Sequence, residues 1–203
     1  MRLAIAGILV AALGGLAQAS EIESAYTEIN TQENCAAFAA PAADDPGEWM
    51  NFVCEGWRGY PVLIYYGDAR ESIFYGFPPD GDLAPEWESF AGFNSTGSTI
   101  EWRIMSDGDR KWPFATIHRW FIDDGEGVGD KIEVLAVEKV GQVFGREGCV
   151  IGYVVATGNE NANEKARRIA DGQAFDFACG ADQPVIDAGD VPLPMTTGSD
   201  GGG

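Results

Sequence analysis

The sequence predicts an α+β domain, mainly antiparallel β, stapled by disulfides and carrying one C-terminal helix. Three observations lead there. Short runs of alternating, β-branched and aromatic residues recur between Gly- and Asp-rich turns, most cleanly at 99–105. One stretch only, 161–171, places apolar residues at a convincing helical spacing. Four cysteines, Cys35, Cys54, Cys149 and Cys179, stand in a chain whose start reads as an export signal.

The export signal is the most specific feature. Met1-Arg2 gives a short positive start, residues 3–16 are apolar and broken only by small residues, and Ala17-Gln18-Ala19 sets small residues where a signal peptidase reads them. This predicts cleavage after Ala19 and a periplasmic or secreted mature chain. The run is too short and too rich in Ala and Gly to favour a permanent span. No second hydrophobic run is long enough to cross a bilayer, so no transmembrane anchoring is expected after cleavage. What remains suffices for a single domain over 20–180. Residues 181–203 hold Pro184, Pro192 and Pro194 and end in Gly201-Gly202-Gly203, which reads as a flexible tail.

Residues 24–39 are compatible with a short N-terminal helix using Tyr26, Ile29 and Phe38 as buried positions. Residues 40–47 form a loop by their Pro, Asp and Gly content. From Gly59 the pattern turns to strands, with 61–66 and 71–77 flanking Gly67-Asp68-Ala69-Arg70 as a hairpin. The Pro- and Gly-rich stretch 78–98 reads as an irregular connection. Within 99–105, Ile100, Trp102 and Ile104 share one face while Glu101 and Arg103 point the other way. Returning strands are expected at 114–122, 131–140 and 149–156. Several of these carry apolar residues at both parities, so part of the sheet is covered on both faces, as a sandwich, a partly closed barrel or a sheet with a helix across it. Asn161 and Glu164 have capping-box spacing, Ala162, Ala166, Ile169 and Ala170 make a narrow apolar stripe, and Gly172 is the expected stop. Residues 174–179 then suit a last strand beside Cys149.

An even cysteine count in an exported chain favours disulfides. There is no C-x-x-C, and the single His118 cannot complete a zinc site. Three pairings are possible. Cys35–Cys54 with Cys149–Cys179 is preferred because each closes a local loop, at about 3–4 kcal/mol of stabilisation each.

The chain carries 13 Lys and Arg against 32 Asp and Glu, a formal charge of −19, and loss of Arg2 with the signal makes the mature chain more acidic still. Such a surface repels nucleic acid and anionic lipid. It serves solubility, or complements a basic protein or divalent cations.

No catalytic motif emerges, and no cofactor is expected. His118 lies in a predicted strand and reads as a satisfied or half-exposed strand residue. Phe93-Asn94-Ser95-Thr96-Gly97 matches only the second half of a nucleophile elbow, because Phe93 stands where the first glycine belongs. Glu86 and Glu88 flank Trp87 and, with His118, form a weak alternative catalytic cluster of glycosidase type. The acidic turn at 123–130 lacks the spacing of a calcium loop. Asn94-Ser95-Thr96 formally matches a glycan acceptor, relevant only in a eukaryotic secretory host. Of the six tryptophans, Trp112 differs by lying beside Arg110 and Lys111, the densest basic spot in the chain, which marks Arg110, Lys111 and Trp112 as a candidate interaction surface. The alternative is a Trp112 folded back over the strand end.

The strings Trp57-Arg58-Gly59-Tyr60-Pro61-Val62, Tyr66-Gly67-Asp68-Ala69-Arg70, Trp87-Glu88-Ser89-Phe90, 113–120 and 149–153, followed by the helix, resemble small exported proteins of alphaproteobacteria. The resemblance covers most of the mature chain and implies a Gram-negative periplasm, but brings no active residue with it. In general character, as an acidic, disulfide-linked antiparallel domain, the chain is also similar to bacterial lysozyme inhibitors, by class and without a matching motif. The expectation is therefore a non-catalytic periplasmic binding or interaction protein, with a basic envelope protein as its partner. An envelope hydrolase acting on a glycan or peptide, and a structural envelope component, are the rivals.

Overall fold

The computed structural model describes residues 21–81, 87–123 and 131–197. Their strands are β1 (Glu21–Glu28), β2 (Cys35–Ala39), β3 (Trp49–Glu55), β4 (Pro61–Gly67), β5 (Arg70–Tyr75), β6 (Ser89–Phe90), β7 (Asn94–Asp107), β8 (Arg110–Ile122), β9 (Ile132–Lys139), β10 (Val150–Val155), β11 (Val185–Asp187) and β12 (Thr196–Thr197). One α-helix, α1 (Ala162–Gln173), lies between β10 and β11. A six-stranded sheet runs β1-β7-β8-β9-β10-β11, a four-stranded sheet runs β2-β3-β4-β5, and β12 pairs with β6. Of these strand pairings, only β10 with β11 is parallel.

Alternation along the long strands dictates three layers. Ile100, Trp102 and Ile104 of β7, with Trp120 of β8 and Val134 and Ala136 of β9, pack against Val62, Ile64, Ile73 and Tyr75 of the four-stranded sheet. The opposite parity, Ala115, Ile117, Leu135, Val137, Ile151 and Val154, meets Ala162, Ala166 and Ala170 of α1. Both faces of the six-stranded sheet are thus covered, by a second sheet and by the helix, and neither sheet closes into a barrel. The small alanines let the helix sit close to the sheet. Gly152 removes the remaining obstruction, since a Cβ there would stand 2.7 Å from Ile169 Cγ2.

The two sheets join at one corner. Gly76 and Gly141 form a parallel bridge, the Phe77 amide donates to the Gly141 carbonyl at 2.9 Å, and the Gly141 amide donates to the Tyr75 carbonyl at 2.9 Å. Gly76 has φ +91°, and a Cβ on it would lie 2.2 Å from the Gly141 oxygen, so the junction requires glycine. The disulfides are the local pair: Cys35–Cys54 crosslinks directly opposed residues of β2 and β3, and Cys149–Cys179 ties the start of β10 to the segment after α1.

Several expectations are corrected. Residues 24–39 hold strands rather than a short N-terminal helix. Tyr26 and Ile29 fit a helical spacing, but β1 instead runs antiparallel to β7 over its whole length, with Thr27 accepting a 2.7 Å hydrogen bond from the Trp102 indole. Residues 174–179 are not a strand; they continue the helix end in turns, with the Phe177 amide donating to the Gln173 carbonyl and the Phe177 ring buried on the helix side. Residues 181–197, within the stretch read as a tail, supply β11 and β12. Asn161 sits at the helix start with φ 61° and makes no capping bond, and α1 runs past Gly172 to Gln173.

Candidate functional site

The outer face of the four-stranded sheet, turned away from the sandwich core, carries a cleft of about 690 Å³. Strand parity builds it. Trp49 pairs with Gly67, Asn51 with Tyr65, and Tyr65 with Ser72, so Trp49, Tyr65 and Ser72 rise from one face. Trp87 closes the far side, its ring 5.3 Å from that of Phe74. Glu48 and Asp68 lie on the rim. Glu71 also lines the cleft, but its carboxylate is turned inward and accepts bonds from the Thr96 amide at 2.7 Å and the Thr96 hydroxyl at 2.8 Å. Burial nevertheless raises the Glu71 carboxyl above the usual range, against those two bonds.

The charge in the cleft is one-sided. Among the described residues Arg70 is its one cationic lining residue, and that guanidinium is spent internally. It pairs with Asp68, donates through Nε to the Ala91 carbonyl at 2.9 Å, and lies 4.9 Å over the Phe93 ring. The carboxylate of Glu48 takes part in no hydrogen bond or ion pair among the described residues. Ser72 Oγ and Trp87 Nε1, both on lining residues, are buried polar atoms without partners. An exposed acid, two indoles and a phenol, with no unpaired cation among the described lining residues, are groups whose chemistry suits a positively charged group on an apolar stem.

A second cavity of about 170 Å³ shares Trp87 with the cleft and is lined by Ile73, Phe74, Glu88, Glu138 and the Cys149–Cys179 disulfide. Its acids differ in environment. Glu88 Oε2 accepts the Val150 amide at 2.6 Å, at the bulge where the β9–β10 register shifts. Glu138, 4% exposed, is held far above the usual carboxyl range by burial first and by the nearby Glu88 charge second.

The weak catalytic cluster is not assembled among the described residues. Glu86 lies outside them. His118 is buried between the sheets, its Nδ1 accepting from the Tyr75 hydroxyl at 2.6 Å and its Nε2 donating to the Gly97 carbonyl at 2.6 Å. That carbonyl is turned to the histidine by the register shift between Thr96 and Ile100. Burial pushes the His118 pKa down to about 4, so the ring is a neutral structural link at neutral pH. Glu88 belongs instead with Glu138, which sequence reasoning missed because it sits in an ordinary strand pattern; only its parity with Val134 and Ala136 hints at burial.

At the proposed interaction surface, Arg110 pairs with Asp107 at 2.7 Å and Lys111 with Glu23 at 2.5 Å. Trp112 packs partly against the helix-side core, with the Arg110 guanidinium 5.8 Å from its ring centre. Both cations are thus answered by acids of their own chain. Asn94 is buried, its amide donating to the Phe90 and Gly92 carbonyls, so in the folded protein it offers no glycan acceptor. Of the acidic turn at 123–130, residues 124–130 lie outside the described residues. Among those described, no cluster of three or more His, Cys, Asp or Glu is placed to hold a metal ion, and no helix is long and apolar enough to cross a membrane.

No protein-family model, curated protein or solved structure matches the chain.

Proposed function

We propose that the mature chain, exported and cleaved after Ala19, is a non-catalytic binding protein of the periplasm whose aromatic and acidic cleft receives a basic side chain of a partner protein. The observation that carries this is the cleft itself. Trp49, Tyr65 and Trp87 surround a space whose only lining cation among the described residues is already paired, with the Glu48 carboxylate open at the rim. An ammonium or guanidinium group there would gain from the ring faces and from the acid. The charge of −19 supports the same reading, because it draws basic proteins in at long range and repels acidic ones.

A basic muramidase is the concrete partner to try first. Purified mature protein is expected to bind it at low salt, with association slowing steeply as salt rises. Trp49→Ala and Glu48→Gln are expected to weaken binding about tenfold each, on the order of 1.4 kcal/mol. Absence of both binding to basic muramidases and protection against them, at low salt, would sink that version. Binding that ignores Trp49→Ala would remove the cleft from the interface.

A further inference from the structure

The four-stranded sheet that carries the cleft ends in an open edge. β2 is its outermost strand on that side, tied to β3 by the Cys35–Cys54 disulfide. Cys35 and Cys54 are directly opposed with their Cα atoms 3.9 Å apart, the close approach of a pair that exchanges no backbone hydrogen bonds. The bond falls one residue earlier, from the Glu55 amide to the Asn34 carbonyl at 2.9 Å. The backbone N–H and C=O of Cys35, and two residues on those of Ala37, therefore point away from β3. Among the described residues nothing pairs with them. The other edges are guarded. β1 carries Glu21, Glu23 and Glu28, and β11 has three residues. On the open side of β5, the Glu71 amide donates to Asn94 Oδ1 at 2.9 Å, the Ser89 hydroxyl donates to the Glu71 carbonyl, and the Asn94 amide donates to the Ala69 carbonyl at 3.1 Å. β2, Cys35-Ala36-Ala37-Phe38-Ala39, has neither charge nor proline. Its bulge at Phe38 sets Ala36 opposite Val53 and Ala39 opposite Asn51, so both alanines lie on the outer face of the sheet with Trp49.

Charge selects the occupant. No Lys, Arg or His stands between Glu21 and Trp57. Glu33 and Asp44, to either side of β2, and Glu48 beside Trp49 form no ion pair among the described residues. A second copy of this chain would bring the same acids to the edge, whereas a basic strand answers them. Resting on the reading of the cleft given above, we infer that the basic partner docks by adding an extended segment to β2 as a further strand of this sheet. Main-chain bonds to Cys35 and Ala37 hold the segment, and its side chains on the outer face select for charge. The added strand lies about 10 Å from β3, two inter-strand spacings. A lysine or arginine stem on its outer face crosses the methyl groups of Ala36 and Ala39 towards Trp49 and Glu48. The disulfide fixes β2 on β3, so the edge is in place before the partner arrives.

The test uses three end-blocked hexapeptides as probes: alternating lysine and valine, the same peptide with every amide N-methylated, and alternating glutamate and valine. It follows amide exchange at Cys35 and Ala37 and the Trp49 indole signal of the mature protein by NMR at low salt. With saturating lysine–valine peptide, exchange at Ala37 is expected to slow about tenfold or more, with the Trp49 indole moving in step. The N-methylated peptide, which cannot donate to the edge, should bind about tenfold more weakly to the native chain. Ala37→Pro removes the outward N–H without removing a bond to β3, so it should fold and weaken the lysine–valine peptide by a similar factor. If Trp49 moves while Ala37 exchange is unchanged and N-methylation has no effect, the side chain enters without a strand, and this inference falls while the proposed function stands. Slowed exchange at Ala37 with a silent Trp49 would keep the added strand and overturn the reading of the cleft. No response at either residue overturns both. Equal binding of the glutamate–valine peptide, or Ala37 already protected in a dimer of the free chain, would overturn the choice of a basic strand as occupant.

Discussion

Glu101 and Arg103 alternate with Ile100, Trp102 and Ile104 on β7, and such alternation ordinarily puts charges in water. Here the second face lies under α1, and both side chains are buried. Arg103 forms a two-pronged pair with Asp171 of the helix at 2.7 and 2.8 Å and donates to Ser24 Oγ; Arg167 grips Glu101 with bonds of 2.7 and 3.0 Å. Burial opposes the charge on Glu101, but the bonds from Arg167 and Ser24 outweigh it and hold the carboxyl below its usual range. Three elements, β1, β7 and α1, are thereby fixed in register by charge-assisted bonds. Arg103→Leu is expected to cost about 2–3 kcal/mol in urea unfolding, since it strands Asp171 and removes one neighbour of Glu101. Asp171 is partly exposed and rehydrates, which keeps the loss below that of a fully buried pair. A loss under about 0.5 kcal/mol would mean the pair behaves as a surface ion pair.

Among the elements, the segment after α1 matters most for the site, because Cys149–Cys179 and Gly180 form part of the cavity wall. Lys139 reinforces it, donating to the Phe177 carbonyl at 2.7 Å and pairing with Glu147 at 3.0 Å. Replacing both Cys149 and Cys179 by Ala should lower stability by about 3–4 kcal/mol on the chain-entropy estimate for a 30-residue separation. It should also raise amide exchange at 177–180 ahead of the core strands, whereas uniform exchange would show that the ion pairs alone hold the wall. The sequence made the hairpin of β4 and β5, the strands β7 to β10 and the helix readable, because their apolar periodicity is what their burial requires. It hid β1, whose Tyr26, with Ile29 just beyond the strand end, satisfies a helical spacing and whose strand state depends on pairing with β7, about 70 or more residues away. It hid β3 as well, and with it Trp49 of the cleft, because β3 lies before the first clear alternation. Trp87 and Glu88 were legible as residues with chemical potential, but their partners Tyr65 and Glu138 come from strands that only the fold brings near.

Across the whole molecule, buried titratable groups pull stability in opposite directions with pH. His118 has a folded pKa of about 4 against an ordinary 6.5. The unfolded chain therefore takes up the proton first, and as pH falls from about 6.5 to 4 up to about 3 kcal/mol of stability is lost. Glu101, held low, adds to the loss on the acid side. Glu138 acts in the reverse sense. Its folded carboxyl is raised by burial and then by Glu88, so its contribution is fully present below the ordinary 4.5 and is lost as pH rises towards the folded value. Glu71, raised mainly by burial, acts in the same sense. Glu138→Gln keeps the shape of the protonated acid without its proton equilibrium. Thermal melts of the mature protein at fixed ionic strength should therefore show the variant matching the native chain below the ordinary carboxyl value of 4.5 and exceeding it increasingly as pH rises above that value. An equal loss of Tm at every pH would mean the carboxyl matters for packing alone. A native-like slope in the variant would place the titrating group elsewhere, with Glu71 the next to replace.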